Sequence, residues 1–307
     1  MAPTHATEPT VLDAVGATPL VEVDGIFLKL EYLNPSGSIK ARMARYIVER
    51  AEREGLLAPG DTIVEASSGN TGNALAMIAA VKGYRMVVVT PEGMSPERSA
   101  ISRAFGAEVR TVGTFFVNDA LAEADRLGRR PGHFAPHQFQ NEWNVEENRT
   151  WLGPEILGQL GPDRVPDGFV MGVGTGGTLI GVGQALRAAN PAVRLVALEP
   201  AESCTIQCGE RGLHQIEGIS DGFVPTIYAR HRAIVDEVVS VHSDDAVAEM
   251  RALASTHGLL VGPSTGANMI VARGLRARLG EGAVVVTIAC DEGEKYLSEY
   301  FVAPAGD

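Results

Sequence analysis

The feature that most constrains the fold is an alternation of short apolar strands, glycine-rich turns and helices along most of the chain. The predicted strand "DTIVEA" leads through "SSGNTG" into the helical "NALAMIAAVKG", and "DGFVMGV" leads through "GTGGT" into "LIGVGQALRAAN". Further strands are predicted at "YRMVVVTPEG", "EVRTVG", "VRLVALEP" and "AVVVTIACDEG", with another helix at "SPERSAISRAFGA". Near-continuous Val and Ile runs between helices indicate parallel sheets that are covered on both faces.

The alternation forms two series, and it therefore predicts an α/β protein with two doubly wound parallel-sheet domains. We expect a smaller domain at residues 37–145 and a larger domain built from residues 1–36 and 146–307. A cleft should lie between them. Ligands of such sheets bind at the carboxyl ends of the strands, which is where the glycine turns of this chain lie.

Composition excludes several classes of function. The chain has 307 residues, 45% of them hydrophobic, and a formal net charge of −12, which argues against a nucleic-acid or anionic-membrane partner. No apolar run approaches the roughly 18 residues that span a bilayer. The N-terminal "MAPTHATEPT" has neither the basic region nor the apolar core of a signal peptide.

The cysteines and histidines do not form a recognisable metal site. The sequence contains three cysteines, Cys204, Cys208 and Cys290. So sparse and odd a set is typical of a reducing cytoplasm, and the first two are wrongly spaced for zinc, so we interpret them as structural. His133 and His137 have the spacing of a helical metal site, but Pro131 and Pro136 disfavour a helix there. We expect no metal.

The loop "GVGTGGT" is open to two interpretations. Gly172, Gly174 and Gly177 match the G-x-G-x-x-G pattern of nicotinamide-binding proteins, and Glu199 follows at roughly the 20-residue distance of a ribose-binding acid. The loop is, however, richer in glycine and threonine than that pattern requires. Consecutive backbone N–H groups from Gly174 to Thr178, with a helix N-terminus, suit a single phosphate. The loop alone does not decide which phosphate-bearing ligand it binds.

Two further loops also open helices. The hydroxyls and the Asn70 amide of "SSGNTG" at 67–72 suit a carboxylate, although an ordinary N-cap explains the same residues. In "GPSTGA" at 262–267, Ser264 can present a hydroxyl to a ligand, but serine in a glycine turn is more often a cap. Neither loop identifies a ligand alone.

Lysine is scarce, and one of the four lysines has an unusual setting. Lys82 precedes Gly83 at a helix end, Lys29 is predicted to be a strand-surface residue, and Lys295 is predicted to lie on a charged, solvated turn. Lys40 instead follows the turn "NPSGSI" and begins a helix. A desolvated lysine at such a junction can form a Schiff base. Together with a phosphate loop and a carboxylate loop, it indicates pyridoxal 5'-phosphate (PLP) holding an amino acid.

Seven ordered motifs resemble those of the cysteine synthases. These enzymes are O-acetylserine sulfhydrylase-like β-synthases of the tryptophan-synthase-β fold type (PLP fold type II). Cystathionine β-synthase has the same fold type. The motifs are "LKLEYLNPSGSIKAR", "GLLAPGDTIVEASSGNTGNALA", "TPEGMSPERSAISRAFGAE", "GVGTGGT", "IEGISDGFVP", "GPSTGA" and "DEGEKYLS". The resemblance covers about residues 13–302. It implies a PLP-binding larger domain, a smaller domain carrying the substrate-carboxylate loop, and a homodimer.

The resemblance also implies a role for individual residues. Lys40 would be the PLP lysine, Asn70 would reach the ring hydroxyl, and Ser264 would lie at the pyridine nitrogen. The phosphate would be bound by Gly174, Thr175, Gly176, Gly177 and Thr178. The substrate carboxylate would be bound by Ser67, Ser68, Thr71, Gln138 and Gly218. Glu199 would then be only a strand end.

The implied chemistry is β-replacement on an activated L-serine. The freed amine of Lys40 would remove the α proton as general base, loss of the β substituent would leave an α-aminoacrylate, and a second nucleophile would add to it. A serine hydroxyl at the pyridine nitrogen should leave that nitrogen unprotonated. The ring is then a weaker electron sink, which favours β-elimination and replacement over transamination and racemisation.

The chain departs from the family pattern at two places. Ala41 stands where an acidic residue usually follows the lysine, so any salt bridge of that acid is missing. The segment 141–151 replaces a proline-rich one. Its Trp143, Asn144 and Arg149 either face the cleft and change the substrates or are surface substitutions. Tyr296 and "LSEYF" are interpreted as C-terminal packing.

The favoured hypothesis is a cytoplasmic cysteine synthase that uses O-acetylserine and sulfide. O-phosphoserine is an alternative donor, and homocysteine or an amine is an alternative nucleophile. A dehydratase of the same fold type is disfavoured because Ile39, not an aromatic residue, precedes the lysine. A nicotinamide-dependent dehydrogenase using 172–177 and a non-catalytic scaffold are the alternatives from other classes.

Overall fold

The computed structural model describes residues 9–93, 96–113 and 117–302. The first eight residues of the N-terminal segment, and Met94 and Ser95 in the third family motif, lie outside these ranges. The strands are β1 Leu20–Val23, β2 Ile26–Leu30, β3 Thr62–Ala66, β4 Arg85–Thr90, β5 Glu108–Thr111, β6 His133–Phe134, β7 Gly168–Gly172, β8 Arg194–Pro200, β9 Glu237–Val241 and β10 Val285–Ala289. The α-helices are α1 Lys40–Arg53, α2 Asn70–Lys82, α3 Pro96–Ala104, α4 Asn118–Gly128, α5 Glu142–Glu147, α6 Gly153–Leu160, α7 Gly177–Ala189, α8 Thr226–His231, α9 Ser243–His257 and α10 Pro263–Leu279.

The smaller sheet has the strand order β5-β4-β3-β6, and its strands are parallel. Alternate residues of β3 point to opposite faces. Ile63 packs in a cluster with α1 and α2, whereas Val64 packs in another with α4. Both faces of the sheet are therefore covered by helices, which explains why the strand sequences are apolar throughout.

The larger sheet has the order β1-β2-β10-β7-β8-β9 and is covered by α9 and α10 on one face and by α6 and α7 on the other. Its strands are parallel except β1, which runs antiparallel to β2. The sequence predicts only parallel strands. A two-residue turn at Asp24 and Gly25, both with positive φ, joins β1 to β2, and so short a connection permits only an antiparallel pair. The predicted α/β class with two parallel-sheet layers is confirmed.

A buried charge cluster links β2, α1 and α6, and it corrects the prediction for Lys29. Lys29 is fully buried, not on a strand surface, and its ammonium donates to Glu155 at 2.5 Å and to the Thr18 carbonyl. Arg42 contacts Glu31 and Glu155, each at 2.7 Å. We define Lys29, Glu31, Arg42 and Glu155 as the buried charge cluster. Ionised side chains occupy the interior here because each has an opposite charge in contact.

Ala41 also lies in the interior. Its side chain is fully buried in the apolar cluster between α1 and α2, beside Leu75 and Ile78. An acidic side chain at this position would have to enter that cluster without an evident partner. The departure from the family pattern is thus accommodated by an apolar contact.

The cysteines differ from the expected reduced set. Cys204 and Cys208 form a disulfide, because a turn in which the Cys208 N–H donates to the Cys204 carbonyl at 3.1 Å brings their Cα atoms to 5.2 Å. Cys290 is a free, buried thiol. Within the described ranges, none of the helices has the length and apolarity that crossing a membrane requires.

Candidate active site

One cleft lies at the carboxyl ends of strands from both sheets. It holds about 900 Å³ of space, including the part that is open to solvent, which is the usual size of a small-molecule site. The residues predicted for cofactor and substrate that line it are Lys40, Ser67, Ser68, Asn70, Thr71, Gln138, Gly174, Thr175, Gly176, Thr178, Gly218 and Ser264. Gly177 is the one predicted site residue absent from the lining. It begins α7 directly behind the wall of the cleft.

Lys40 begins α1 after a loop that is attached to the end of β10. The Ile39 N–H donates to the Cys290 carbonyl at 2.8 Å, and the Glu292 N–H donates to the Gly37 carbonyl at 3.1 Å. Gly37 has φ +67°, and a Cβ there would overlap the Glu292 carboxyl, so this turn requires glycine. Among the described residues, the Lys40 ammonium has no hydrogen bond or salt bridge, although it is half-buried. Its amine is available to a ligand.

The glycine loop between β7 and α7 is shaped for a close backbone contact. A Cβ on Gly174 would lie 2.6 Å from the Gly218 carbonyl oxygen, and Gly176 has φ +88° with a would-be Cβ 3.0 Å from Tyr228. The Thr175 hydroxyl accepts from the Gly177 N–H at 3.1 Å. The N-terminus of the 13-residue helix α7, which begins at Gly177, attracts an anion.

Asn144 resolves part of the question about segment 141–151. Its side-chain amide is buried and donates to the Thr175 hydroxyl at 2.9 Å and to the Gln138 carbonyl at 3.0 Å. It therefore connects the glycine loop to the predicted substrate residues. Trp143 instead packs under Arg50, 5.3 Å from ring to guanidinium, and Arg149 is exposed. Of the three, only Asn144 reaches the site.

In the loop before α2, the Ser67 hydroxyl forms hydrogen bonds within the loop itself. The Ser67 hydroxyl accepts from the N–H groups of Gly69 and Gly72 at 3.1 and 2.9 Å, as the capping interpretation expects. Thr71 donates to the Gln138 amide oxygen at 2.6 Å, and that amide donates to the Ala66 carbonyl. Thr71 and Gln138 are thus positioned as a pair.

A buried carboxyl supports this pair from below. Glu65 on β3 accepts from the Gln138 N–H at 3.1 Å and from the Ala66 N–H at 3.0 Å. Burial raises the pKa of Glu65 to about 8, even though these N–H groups oppose the rise.

Asn70 is held from both sides by residues that follow β10. Its Nδ2 donates to Asp291 at 2.7 Å, and its Oδ1 accepts from Lys295 at 3.0 Å. Lys295 also donates to the carbonyls of Ser36 and Gly37, in the loop that leads to Lys40. The prediction that Lys295 is solvated is wrong. It is 4% exposed, because a 3₁₀ turn at Gly293–Tyr296 folds the chain back beneath the cleft.

Tyr296 also departs from its prediction. It lines the cleft and donates to Asp291 at 2.5 Å, so it is more than C-terminal packing. Sequence reasoning missed Asp291 altogether. The only available signal was its place directly after a buried strand in "IACDEG".

The start of α10 supplies the hydroxyl at the far end of the cleft. Ser264 is 3% exposed and lines the cleft beside Cys290. Burial raises the pKa of the Cys290 thiol to about 12, so that thiol is not a nucleophile at neutral pH. Asn268 on the same helix accepts from the Gly172 N–H at 2.9 Å and donates to the Ile288 carbonyl, which fixes α10 to β7 and β10.

The donor set fits PLP. An amine without a bonded partner in the described residues, a loop whose glycines leave no room for a Cβ, an amide and a buried hydroxyl line one cleft. These groups match the aldehyde, phosphate, ring hydroxyl and ring nitrogen of the cofactor. Glu199, the candidate ribose acid of the nicotinamide pattern, is instead buried and accepts from the N–H groups of Ile206 and Gln207. It does not line the cleft.

The two histidines do not converge on a metal site. His133 lies on β6, whereas His137 has a positive φ and its ring contacts Asp125 at 3.4 Å. Among the residues that the structure describes, no group of three or more His, Cys, Asp or Glu side chains is arranged to hold a metal ion.

Comparisons with known proteins agree with this geometry. Residues 11–291 match the family model "Pyridoxal-phosphate dependent enzyme". The chain is 41% identical to a cysteine synthase of Staphylococcus aureus, with 94% of this chain and 95% of the relative covered. It is 40% identical to an O-ureido-L-serine synthase of Streptomyces lavendulae, with 95% and 91% covered.

A solved structure shares the fold as well. The O-acetylserine dependent cystathionine β-synthase from Helicobacter pylori superposes with a TM-score of 0.90 at 35% identity, covering 95% of this chain and 98% of that one. The predicted resemblance and cofactor are confirmed, and the dehydrogenase alternative is not supported. The chain belongs to the pyridoxal-phosphate dependent enzyme family.

Proposed function

We propose that the protein exchanges the β substituent of an activated L-serine for an incoming nucleophile, with O-acetyl-L-serine and sulfide as substrates and L-cysteine as product. The observation that carries the proposal is the meeting of Lys40, the glycine loop and the Thr71–Gln138 pair in one cleft of a PLP-dependent enzyme. Its similarity to cysteine synthases supports this choice of substrates.

The residues that would hold the cofactor follow from their positions. The N–H groups of 174–178 would bind the phosphate, Lys40 the carbonyl carbon, Asn70 the ring hydroxyl and Ser264 the ring nitrogen. When bound, PLP supplies an electron sink for the bonds at the substrate's α-carbon. A hydroxyl at the ring nitrogen supplies no negative charge to stabilise a proton there, which limits that sink and favours departure of the β substituent.

The loop between β3 and α2 in the smaller sheet would orient the substrate. Ser67, Ser68, Thr71 and Gln138 would bind the substrate carboxylate at the N-terminus of α2, with Gly218 across the cleft. Binding there would release the Ser67 hydroxyl from its capping bonds. The Lys40 amine would then remove the α proton and later return it, so that its proton count is unchanged over a full turnover.

Three assignments extend the sequence analysis. We propose that the domains are residues 37–145 and residues 1–36 with 146–307, and that the enzyme acts in the cytoplasm as a homodimer. Light scattering on the purified protein would give twice the mass of 32.4 kDa if the homodimer assignment is right.

A second candidate keeps the chemistry and changes the nucleophile. The O-ureido-L-serine synthase is as similar to this chain as the cysteine synthase is, so a nitrogen or oxygen nucleophile in place of sulfide is the alternative. A homocysteine thiol is the corresponding alternative suggested by the cystathionine β-synthase.

The test is a two-step reaction with the purified, PLP-loaded protein. O-acetyl-L-serine is added first, and release of acetate with a change in the cofactor's visible absorbance is expected. Sulfide is then compared with homocysteine, hydroxyurea and simple amines for their ability to restore the starting spectrum. Equal amounts of cysteine and acetate support the proposal. A colourless protein that binds NADH and ignores every activated serine would contradict it.

A further inference from the structure

A carboxylate that has no assigned role lies in the same cleft. Asp221 lines it in a loop between the disulfide turn and α8. Gly218, Ser220 and Gly222 in this loop all have positive φ, which for serine is a strained backbone conformation. Such strain persists only where the surroundings hold the backbone, so the position of Asp221 is tightly determined.

The contacts that hold the loop start from Ser220. Its N–H donates to the Val173 carbonyl at 3.0 Å, next to the glycine loop, and its hydroxyl donates to the Ser203 carbonyl at 3.0 Å. Its own carbonyl contacts the His214 ring at 3.0 Å. The loop is thus attached to the end of β7, and Asp221 moves with the phosphate site and not with the smaller sheet.

The Asp221 side chain itself has no partner within the described ranges. It is half-buried, and neither a hydrogen bond nor a salt bridge is made by its carboxylate. Burial raises its pKa to about 6, against the opposing charge of Lys40. An unpaired carboxylate is unexpected in a cleft that binds a phosphate and a substrate carboxylate, because it repels both.

The other titratable groups of the cleft are already engaged. They are Lys40, Glu217, Cys290, Asp291 and Tyr296. Glu217 accepts from the Tyr300 hydroxyl at 2.7 Å, and Asp291 accepts from Asn70 and Tyr296. Lys40 has the α proton to transfer, and the Cys290 thiol is too weakly acidic to exchange protons. Among the described residues of the cleft, Asp221 is therefore the carboxylate that can accept a proton from a second substrate.

We propose that Asp221 is the catalytic base for the second substrate, and that this substrate enters as a neutral molecule H–X, where X is sulfur, nitrogen or oxygen. The inference rests on the proposed β-replacement and deepens it. As the lone pair of X bonds to the substrate's β-carbon, the X–H bond breaks and the proton passes to the Asp221 carboxylate. The Asp221 carboxyl then returns that proton to solvent, so charge and protons balance over the cycle.

The chemistry of the site defines the class of nucleophile. A negatively charged nucleophile such as hydrosulfide or a thiolate meets an uncompensated carboxylate, whereas a neutral one gains a hydrogen bond from it. Hydrogen sulfide, a thiol, an amine and a hydroxamate-like N–OH group all belong to the favoured class. The choice among them depends on the shape of the cleft.

The experiment separates the two half-reactions in wild type, D221N and E210Q. Glu210 is the control, because it is an exposed acid on the same connection and its removal changes the net charge equally. Rapid mixing with O-acetyl-L-serine measures the first half-reaction, and rapid mixing of the product with sulfide or an amine measures the second. In D221N near pH 7 we expect the second to slow by about 100-fold or more, while the first changes by less than about 3-fold.

The dependence on pH gives a second readout that a structural role would not produce. As pH rises and sulfide is fully ionised, the deficit of D221N should shrink, since hydrosulfide needs no base and the repelling charge is gone. The apoprotein adds a third readout: D221N should melt at a higher temperature than wild type above pH 6, and the difference should vanish below about pH 4.

The outcomes distinguish the two proposals. If wild type turns over and D221N slows both half-reactions equally, or slows neither, Asp221 is not the base and the inference is overturned alone. If no activated serine reacts with the wild type, the proposed function and this inference fail together. Lower thermal stability of D221N above pH 6 would show that the carboxylate is structural and would also overturn it.

Discussion

At the scale of single residues, we propose that the amine of Lys40 carries the chemistry, and its loss should be detectable without an activity assay. The K40A protein should still bind the PLP phosphate but lack a covalent bond to it. Borohydride treatment should label residue 40 in wild type and nothing in K40A, and β-replacement should fall by at least about 100-fold. Mass spectrometry of the reduced, digested protein measures the label.

K82A is the matched control for K40A. Lys82 ends α2 and contacts Glu52 at 2.9 Å, away from the cleft. It should keep the label at Lys40 and full activity. A borohydride label that persists in K40A would show that another lysine forms the bond.

Lys295 should behave as a positioning residue. In K295M, three buried acceptors, the carbonyls of Ser36 and Gly37 and the Asn70 amide oxygen, lose their donor. We expect the free energy of unfolding to fall by about 2–4 kcal/mol, because buried acceptors without a donor destabilise the folded state. PLP should also dissociate faster, since Asn70 and the Lys40 loop lose their common support.

Urea unfolding of the apoprotein and spectroscopic titration with PLP measure the two effects of K295M separately. K295R should recover part of the cofactor affinity because it restores a donor. A K295M protein with wild-type stability and wild-type PLP affinity would contradict the assignment.

The lysines show which residue roles the sequence could predict. The residues around Lys40, a turn and a helix start, were sufficient to place it at the cleft, because that position depends on local geometry. Lys29 and Lys295 were misjudged from apolar and acidic neighbours in sequence. Their actual partners are far along the chain, such as Glu155 for Lys29 and Ser36 for Lys295, and local patterning carries no signal for such contacts.

At the scale of elements, the buried charge cluster fastens α1 to β2 and α6. In R42M, Glu31 is left ionised in a fully buried position without its main partner. We expect a loss of about 3–5 kcal/mol in the free energy of unfolding, the usual cost of breaking a buried pair. Chemical denaturation measures it.

R126M is the control for R42M. Arg126 pairs with Glu123 on the exposed face of α4, where water screens a salt bridge and its contribution to stability is small. The difference in stability loss between R42M and R126M should become smaller in acid. Although burial opposes it, hydrogen bonds from Arg42 and Lys29 lower the pKa of Glu155 to about 2, so its contribution is present above pH 4.5 and lost as pH falls toward 2. Equal losses in R42M and R126M would contradict the role of the cluster.

Segment 141–151 marks the limit of element-level prediction. The sequence showed that it departs from the family, but not which side chains turn inward. Helix α5 has only six residues and continues into a π-helical turn at Asn148–Leu152, so a regular helical wheel does not apply to it. Asn144 reaches the glycine loop because of that local geometry.

At the scale of the whole molecule, stability should decline on the alkaline side. Burial raises the pKa values of Glu65 and Glu147 to about 8. The folded protein therefore binds more protons than the unfolded chain between about pH 4.5 and 8, and its free energy of unfolding falls as pH rises through that range. In E147Q the free energy of unfolding should depend less on pH. At pH 9 it should exceed that of wild type by about 2–3 kcal/mol.

Thermal unfolding at pH 5, 7 and 9 measures this slope. E146Q is the control, since Glu146 is the preceding residue but lies partly exposed against Arg50, so its substitution should change stability little. A wild-type protein whose stability does not depend on pH from 5 to 9 would contradict the account of Glu147.

The architecture as a whole was more predictable than its details. Apolar strand runs and glycine turns were enough to predict two helix-covered sheets, because burial on both faces leaves an unmistakable composition. The antiparallel β1 was missed, since its strand has only four residues and includes the exposed Glu22. The glycine loop has a composition typical of a phosphate site, but only the remaining motifs distinguished PLP from a nicotinamide as the predicted ligand.

The attachment of the Lys40 loop to Cys290 also sets an order of events during synthesis. The smaller sheet, from β3 to β6, is contiguous in sequence and can form early on the ribosome. The bond from Ile39 to Cys290, and the pairing of β2 with β10, must wait until β10, the last described strand, has been translated. A nascent chain shorter than that has a half-built larger sheet and an untethered lysine. We therefore expect a nascent chain to bind the cofactor only after β10 has been translated.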